Sequence, residues 1–453
     1  MRAKAGDPPR TMVQKILAGR SSGATSRTHV AVKADQAVLA KAPHVALDEA
    51  ISRGLKKTPL EAGVVYETTC VRDGHAHLGA GGMDADARHT VLSHGLVLAR
   101  AGAGFAPAVH LERFASPARL CVTDEPRLAS VGGVGMLSLV VPAHTIGGAL
   151  AGQPIEIAEP RSVNVQISGK MRPFVGARDV ALELSRRGLA EIVKRTAGEH
   201  GAPVVIEFGG SSVRLLSCYE RAVIASVAPR VGAVAALFPS DERAEVFLRD
   251  QRRSKAHRAL APDAGAPFDD VMQVDLGAVD PLAQGDDGKV RTVREFGSKP
   301  VSQVILGGDV GVTLRDLLAA AMLLKSKRVP DGVELLLAPP TRQMLEVLAA
   351  EGALADLIAT GARLIEPDAR IARGELYAAT GLSLRSFEPD VSQPNVGGSA
   401  AGGTPRGQVV VASQETLTYA VATGKLGDPR GFKRPVRVSV PRSLPTDDVL
   451  IIK

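Results

Sequence analysis

The apolar positions switch period several times along this chain. Thr11-Met-Val-Gln-Lys-Ile-Leu-Ala-Gly19 reads as an amphipathic helix, with Thr11 as N-cap and Gly19 as stop. The Ser/Gly stretch after it reads as unstructured. From about 86 to 160, helical patterns alternate with short β-rich runs such as Leu120-Cys-Val-Thr123. The pattern then predicts a strand from Ser162 to Ser168, a helix from Ala177 to about Thr196, a strand from Val204 to Phe208 and helices up to Phe238. Residues 250–300 are rich in Asp, Gly and Pro and read as a surface excursion or interdomain connection. A second block follows: a strand from Gln303 to Leu306, a helix opened by the capping pattern Thr313-x-x-Asp316, a strand from Val333 to Ala338, and a helix after Pro340-Thr341. Short strands at Arg363 to Ile365 and Val409 to Val411 and a last helix capped at Ser413 complete it, while Gly397 to Gly403 reads as a flexible loop. Strands separated by helices predict an α/β chain of three-layer α/β/α domains with mostly parallel sheets.

The 453 residues correspond to about three domains at roughly 150 residues each. A 45% hydrophobic and 23% charged composition excludes a disordered or collagenous chain. Ten Phe, four Tyr and no Trp leave few surfaces on which bases could stack, which argues against nucleic acid. The net charge of +7 is mostly dispersed. Its clearest cluster is Arg249, Arg252, Arg253, Lys255, His257 and Arg258, a solvated face on the plain reading and a contact for nucleic acid or an acidic partner on the alternative one. Cys70, Cys121 and Cys218 form no C-x-x-C, so neither a disulfide framework nor a zinc site is written here, and a reducing cytoplasm is expected. No apolar signal segment opens the chain. Residues 128–155 lack Lys, Arg, Asp and Glu, yet contain six glycines, Pro142 and His144, so a buried loop and helix is expected there and no membrane span. Asp73, His75 and His77, with Asp84, Asp86 and His89 nearby, are weak candidates for a divalent metal; the plainer reading is a polar glycine-rich loop.

Several segments, in order, resemble the large-subunit core of the aconitase superfamily, which includes aconitases and 3-isopropylmalate dehydratases. The opening helix from Thr11 is similar to the family's first helix, and Val109-His-Leu-Glu-Arg-Phe114 to the segment before its Asp-Ser-His motif. Gly132-Gly-Val-Gly-Met-Leu137, Ile167-Ser-Gly-Lys170, Leu216-Ser-Cys-Tyr-Glu-Arg-Ala222, Val231 to Pro239 and Gly427-Asp-Pro-Arg430 continue the match. The resemblance implies three core domains, placed at 1–165, 166–295 and 296–453, with the family's swivelling fourth domain expected to be absent.

Members of that family dehydrate hydroxy-acids on a 4Fe-4S cluster held by three thiolates, the soft donors such clusters take. At the corresponding positions stand Asp309, Ala369 and Ala372, so no cluster is expected. Asp124 is kept from the family's acid–base motif, but Pro126 occupies a histidine position, as Pro107 does upstream. Ala40 replaces a substrate-side glutamine, and Ser226 and Arg230 replace an asparagine and a glutamate. In the carboxylate-binding loop Ser383 and Arg385 survive, while Asp390 stands where a second arginine belongs. Asp124, Ser383 and Arg385 are therefore candidate remnants of a site, with Arg385 able to take a carboxylate ligand. Asp124 could equally be a structural hydrogen-bond acceptor, Arg385 the partner of Asp390 or Glu388, and Glu220-Arg221 a structural pair. The resemblance favours a non-catalytic binding or scaffold subunit, a pseudoenzyme working with a protein partner or as a homo-oligomer. The alternatives are a hydro-lyase or isomerase using another metal or a separate small subunit, and an RNA-binding regulator.

Overall fold

The structure, a computed structural model, describes residues 8–26, 28–68, 83–372, 376–378, 381–387 and 407–453. Among these, three larger sheets and one small one organise the chain. The first sheet runs in the spatial order Ile451–Ile452, Val97–Ala99, Ala62–Tyr66, Gln36–Leu39, Leu120–Thr123, Leu137–Val140. All its pairings are parallel except that of the C-terminal Ile451–Ile452 strand. Both faces are buried: Ala37, Leu39, Val65 and Val122 enter one apolar core, Val38, Val64, Tyr66 and Cys121 the other. That is why these strands read as continuous apolar runs instead of alternating ones.

The second sheet is wholly parallel, in the order Ala235–Leu237, Val204–Gly209, Arg161–Ser168, Asp270–Asp275. The third places the hairpin Val290–Thr292 and Leu282–Gln284 beside the parallel strands Val409–Ala412, Ser383–Arg385, Gln303–Gly307, Glu334–Ala338 and Arg363–Leu364. The α/β class with mostly parallel sheets is thus what the chain adopts. Thr11 and Thr313 each cap a helix through a reciprocal capping box, as their spacing predicts.

Four local expectations need correction. The helix expected from Ala177 to Thr196 is two, Ala177–Arg186 and Leu189–Ala197, divided at Gly188, whose φ of 84° suits glycine. The segment up to Phe238 hides the edge strand Ala235–Leu237, a run of three residues too short to show a period. The polar excursion at 250–300 supplies strands to two sheets, because an edge strand and a hairpin expose one face to water and therefore read as polar. The Ser/Gly stretch contributes Ser21–Ala24 to a small antiparallel sheet with His29–Val32 and Ile155–Ala158.

The glycine-rich turn Pro126–Val134 is the seam between the first and second sheets. A Cβ on Gly132 would lie 1.7 Å from the Ala236 carbonyl oxygen, and one on Gly133 would lie 2.5 Å from the Ala222 nitrogen. Glycine at these two positions lets backbones touch, which packs the first sheet's turn directly against the second sheet and its helix Cys218–Ala225. No helix among the described residues is long and apolar enough to cross a membrane.

Candidate functional site

The strands Leu120–Thr123 and Gln303–Gly307 end close together, and their following loops bring Asp124, Glu125, Arg127 and Asp309 into one region. Asp124 is occupied by backbone. Its carboxylate accepts from the amides of Ala40 (2.8 Å), Lys41 (3.0 Å) and Ala42 (2.8 Å) at the entrance of the helix Pro43–Ser52. The N-cap Ala42 has no side chain to do this itself, so Asp124 acts as a cap from another strand. The structural reading of Asp124 is the one this geometry fits.

Asp309 lies in the left-handed region at φ 40°, after Gly307 and Gly308, and is 4% exposed. One carboxylate oxygen accepts from Arg127 Nη1 at 2.8 Å, an ion pair joining the loops of the first and third sheets. Its other oxygen, Oδ1, is buried without a hydrogen-bond partner and borders a cavity of about 10 Å³, no larger than a water. Beside the pair, burial raises the Glu125 carboxyl above its ordinary value, opposed by Arg127 and Lys41. Asp124 and Asp309 are thus committed to different partners.

Ser383 and Arg385 lie on one strand of the third sheet and are both buried. Ser383 Oγ donates to Gln303 Oε1 at 2.7 Å and accepts from Arg385 Nε at 3.2 Å. The Arg385 guanidinium also donates to the Ile371 and Tyr377 carbonyls, each at 3.2 Å, and lies 5.8 Å from the Phe387 ring centroid. No carboxylate pairs with it among the described residues, and burial lowers its pKa to about 10. Its proposed partners Glu388 and Asp390 lie outside the described residues.

Ala369 and Ala372 fall on the short helix Ala369–Ala372. Ala372 belongs to a buried apolar cluster with Phe105, Ile371 and Phe387. The Phe387 ring is packed so tightly over Gly308 that a Cβ there would lie 2.3 Å from it. One paired carboxylate and two methyl groups are not the donors a thiolate-held cluster takes. The described cysteines, Cys121 and Cys218, are buried, and desolvation pushes both thiols up, Cys218 to about 12. Cys70, and the metal candidates Asp73, His75 and His77, lie outside the described residues. Among the described residues no group of three or more His, Cys, Asp or Glu side chains is disposed to hold a metal ion. Pro107 and Pro126, expected at the family's histidine positions, each sit in a first helical turn, where a missing N–H costs nothing. Ser226 donates to the Val223 carbonyl, and Arg230 reaches Gln284 and the Gly288 carbonyl. The expected Glu220-Arg221 pair does not form: Glu220 caps its own helix through Ser217, while Arg221 pairs with Asp241 at 2.7 Å.

One functional-looking group was not legible in the sequence. Glu112, 1% exposed, accepts from Tyr219 Oη at 2.9 Å and Thr341 Oγ1 at 3.1 Å. Gln251 and Gln343 exchange bonds of 2.7 and 2.9 Å beside it. These residues come from the helices Ala106–Arg113, Cys218–Ala225 and Arg342–Ala350 and from the end of Glu242–Asp250. Only folding brings them together; the signal was a Glu and two Gln on otherwise apolar helical faces.

A family model described as the aconitase family (aconitate hydratase) matches residues 87–288. The chain is similar to the 3-isopropylmalate dehydratase large subunit of Elusimicrobium minutum, 23% identical over 339 residues, 74% of this chain and 78% of that one. It is 26% identical over 334 residues to large subunit 2 of Archaeoglobus fulgidus (73% and 77%), and 28% identical over 367 residues to large subunit 1 of Deinococcus radiodurans (79% and 80%). Among solved structures, the holo-form of aconitase X from Thermococcus kodakaraensis superposes with a TM-score of 0.44 at 8% identity, covering 79% of this chain and 84% of that one, a likeness too slight to build on.

Proposed function

We propose that this chain, which belongs to the aconitase superfamily as a divergent member, is a non-catalytic binding and scaffold subunit and holds no iron–sulfur cluster. The observation that carries the reading is the ion pair at the first ligand position. Asp309 stands where the first thiolate would, and its carboxylate is held by Arg127 at 2.8 Å. Ala369 and Ala372 offer methyl groups at the other two positions, the second of them packed among aromatic rings. Without thiolates there is no open iron to polarise a substrate hydroxyl, and the loss of such a Lewis acid forfeits several kcal/mol of transition-state stabilisation. Asp124, the one acid kept from the motif, has three backbone amides as partners and is poorly placed to move a proton. The relatives are named as large subunits, which supports a role in association with another chain.

The test is turnover of 3-isopropylmalate and of citrate by the purified chain, alone and with a relative's dehydratase small subunit added. No dehydration above background is expected. A second reading, a hydro-lyase using another metal, is favoured by the orphaned Oδ1 of Asp309, an unsatisfied buried anion. Turnover that appears only when Mn²⁺, Zn²⁺ or Fe²⁺ is supplied would establish that reading instead.

A further inference from the structure

We infer that the rigid basic turn at 249–258 is a docking surface for an acidic segment of a partner protein. The inference rests on the partner-binding reading above and names the chemistry of the partner. The turn follows the helix Glu242–Asp250 and is built of alternating anchors and free cations. Gln251, 2% exposed, is locked to Gln343 by the two reciprocal bonds already described. Arg253 is a structural pin: its guanidinium donates to the carbonyls of Glu112 (3.0 Å) and Ala115 (2.5 Å) and, at 3.4 Å each, to the Leu111 carbonyl and Ser116 Oγ. It thereby satisfies the carbonyls left open at the end of the helix Ala106–Arg113. Arg252, between the two anchors, takes a left-handed backbone at φ 55°, which turns its side chain the other way.

Four cations remain on the outside. Arg249, Arg252, Lys255 and Arg258 are all exposed. Arg249 faces Asp250 at 3.3 Å, the sole acid paired within the turn. The side chains of Arg252 and Lys255 have no hydrogen-bond or ion-pair partner among the described residues, and the Arg258 guanidinium donates to the Lys255 and His257 carbonyls at 2.7 Å. Uncompensated cations on a flexible loop would be an ordinary solvated surface. Here the backbone is held by the bonds of Gln251 and Arg253, so binding need not order the turn itself, the condition under which charge contacts gain affinity. Phe247, beside the turn, is 7% exposed and packs edge-on against Tyr219, so its ring offers no open face on which a base could stack. An acidic polypeptide suits this surface better than a nucleic acid.

The probe is a fluorescein-labelled octapeptide of alternating Glu and Asp, followed by anisotropy at 50 and 200 mM salt with the full chain. Arg252→Asn with Lys255→Gln removes two charges, and Asn tolerates the left-handed backbone. We expect this double variant to bind at least tenfold more weakly at 50 mM salt, and wild type to weaken as salt rises. Lys56→Gln with Lys57→Gln, which removes two exposed cations elsewhere, should leave binding within twofold of wild type. Should the first variant fold poorly, Lys255→Glu alone replaces it. Absence of binding, or equal losses in the two double variants, overturns the proposal. So does a 20-nucleotide single-stranded RNA that binds the turn more tightly than the peptide. None of these outcomes bears on whether the chain holds a cluster, which iron and sulfide analysis reads separately.

Discussion

Glu112 joins three helical segments through a buried carboxyl that accepts from Tyr219 and Thr341, and its replacement by glutamine should change how stability depends on pH. Burial is the main cause of a pKa raised from 4.5 to about 7; Asp448 pushes the same way, while Arg113 and the hydroxyls of Tyr219 and Thr341 oppose it. Because the folded value exceeds the unfolded one, the stability linked to this group is fully present below about pH 4.5. It is lost as pH rises through 7. A difference of about 2.5 pH units at ~1.4 kcal/mol each corresponds to about 3 kcal/mol by pH 8. Glu112→Gln keeps an oxygen for Tyr219 and Thr341 but cannot ionise. It should therefore match or slightly trail wild type at pH 5 and exceed it by about 2 kcal/mol at pH 8, after allowing for the unpaired amide N–H groups. With no tryptophan in the chain, urea unfolding followed by far-UV circular dichroism at pH 5, 6, 7 and 8 is the assay. Asp179, whose carboxyl burial raises to about 7, and Asp316, raised to about 6, add slopes of the same sign in both proteins, so the difference between the two curves isolates Glu112. Parallel curves for wild type and variant would refute the reasoning.

Other consequences follow from the same geometry. Asp124→Ala strands three backbone amides at the entrance of the helix Pro43–Ser52 and should lower stability by about 3 kcal/mol, measured by urea denaturation, whereas a loss within 0.5 kcal/mol would mean water replaces the carboxylate. Gly308→Ala, at φ 76° and against the Phe387 ring, should cost at least ~2 kcal/mol in the same experiment. Arg127→Met leaves Asp309 buried without its cation and should cost about 2–3 kcal/mol at neutral pH, measured by urea denaturation.

The helices with capping boxes and the strands buried on both faces were legible because their signals are local. Thr313 and Asp316 are three residues apart, and Val304 to Leu306 is apolar whichever way it faces. The edge strand Asp270–Asp275 was not, because exposed Val271 and Gln273 beside buried Met272 and Val274 look like a polar loop until a sheet is placed next to them. The candidate site divides in the same way. The proposed replacement of the cluster ligands at 309, 369 and 372 rests on the residues alone. That Arg127 holds Asp309, that Asp124 caps a helix from another strand, and that Arg253 is an anchor inside a basic run depend on contacts between residues 84 to 182 positions apart, which no local pattern records.

The proposed function requires that the chain hold no iron–sulfur cluster. Anaerobic reconstitution of the full chain with ferrous iron and sulfide, followed by desalting and by analysis of bound iron, bound sulfide and visible absorbance, tests it most directly. The account predicts a colourless protein with neither element bound in stoichiometric amount. Four irons and four sulfides per chain, with the absorbance of a cubane that survives desalting, would contradict it.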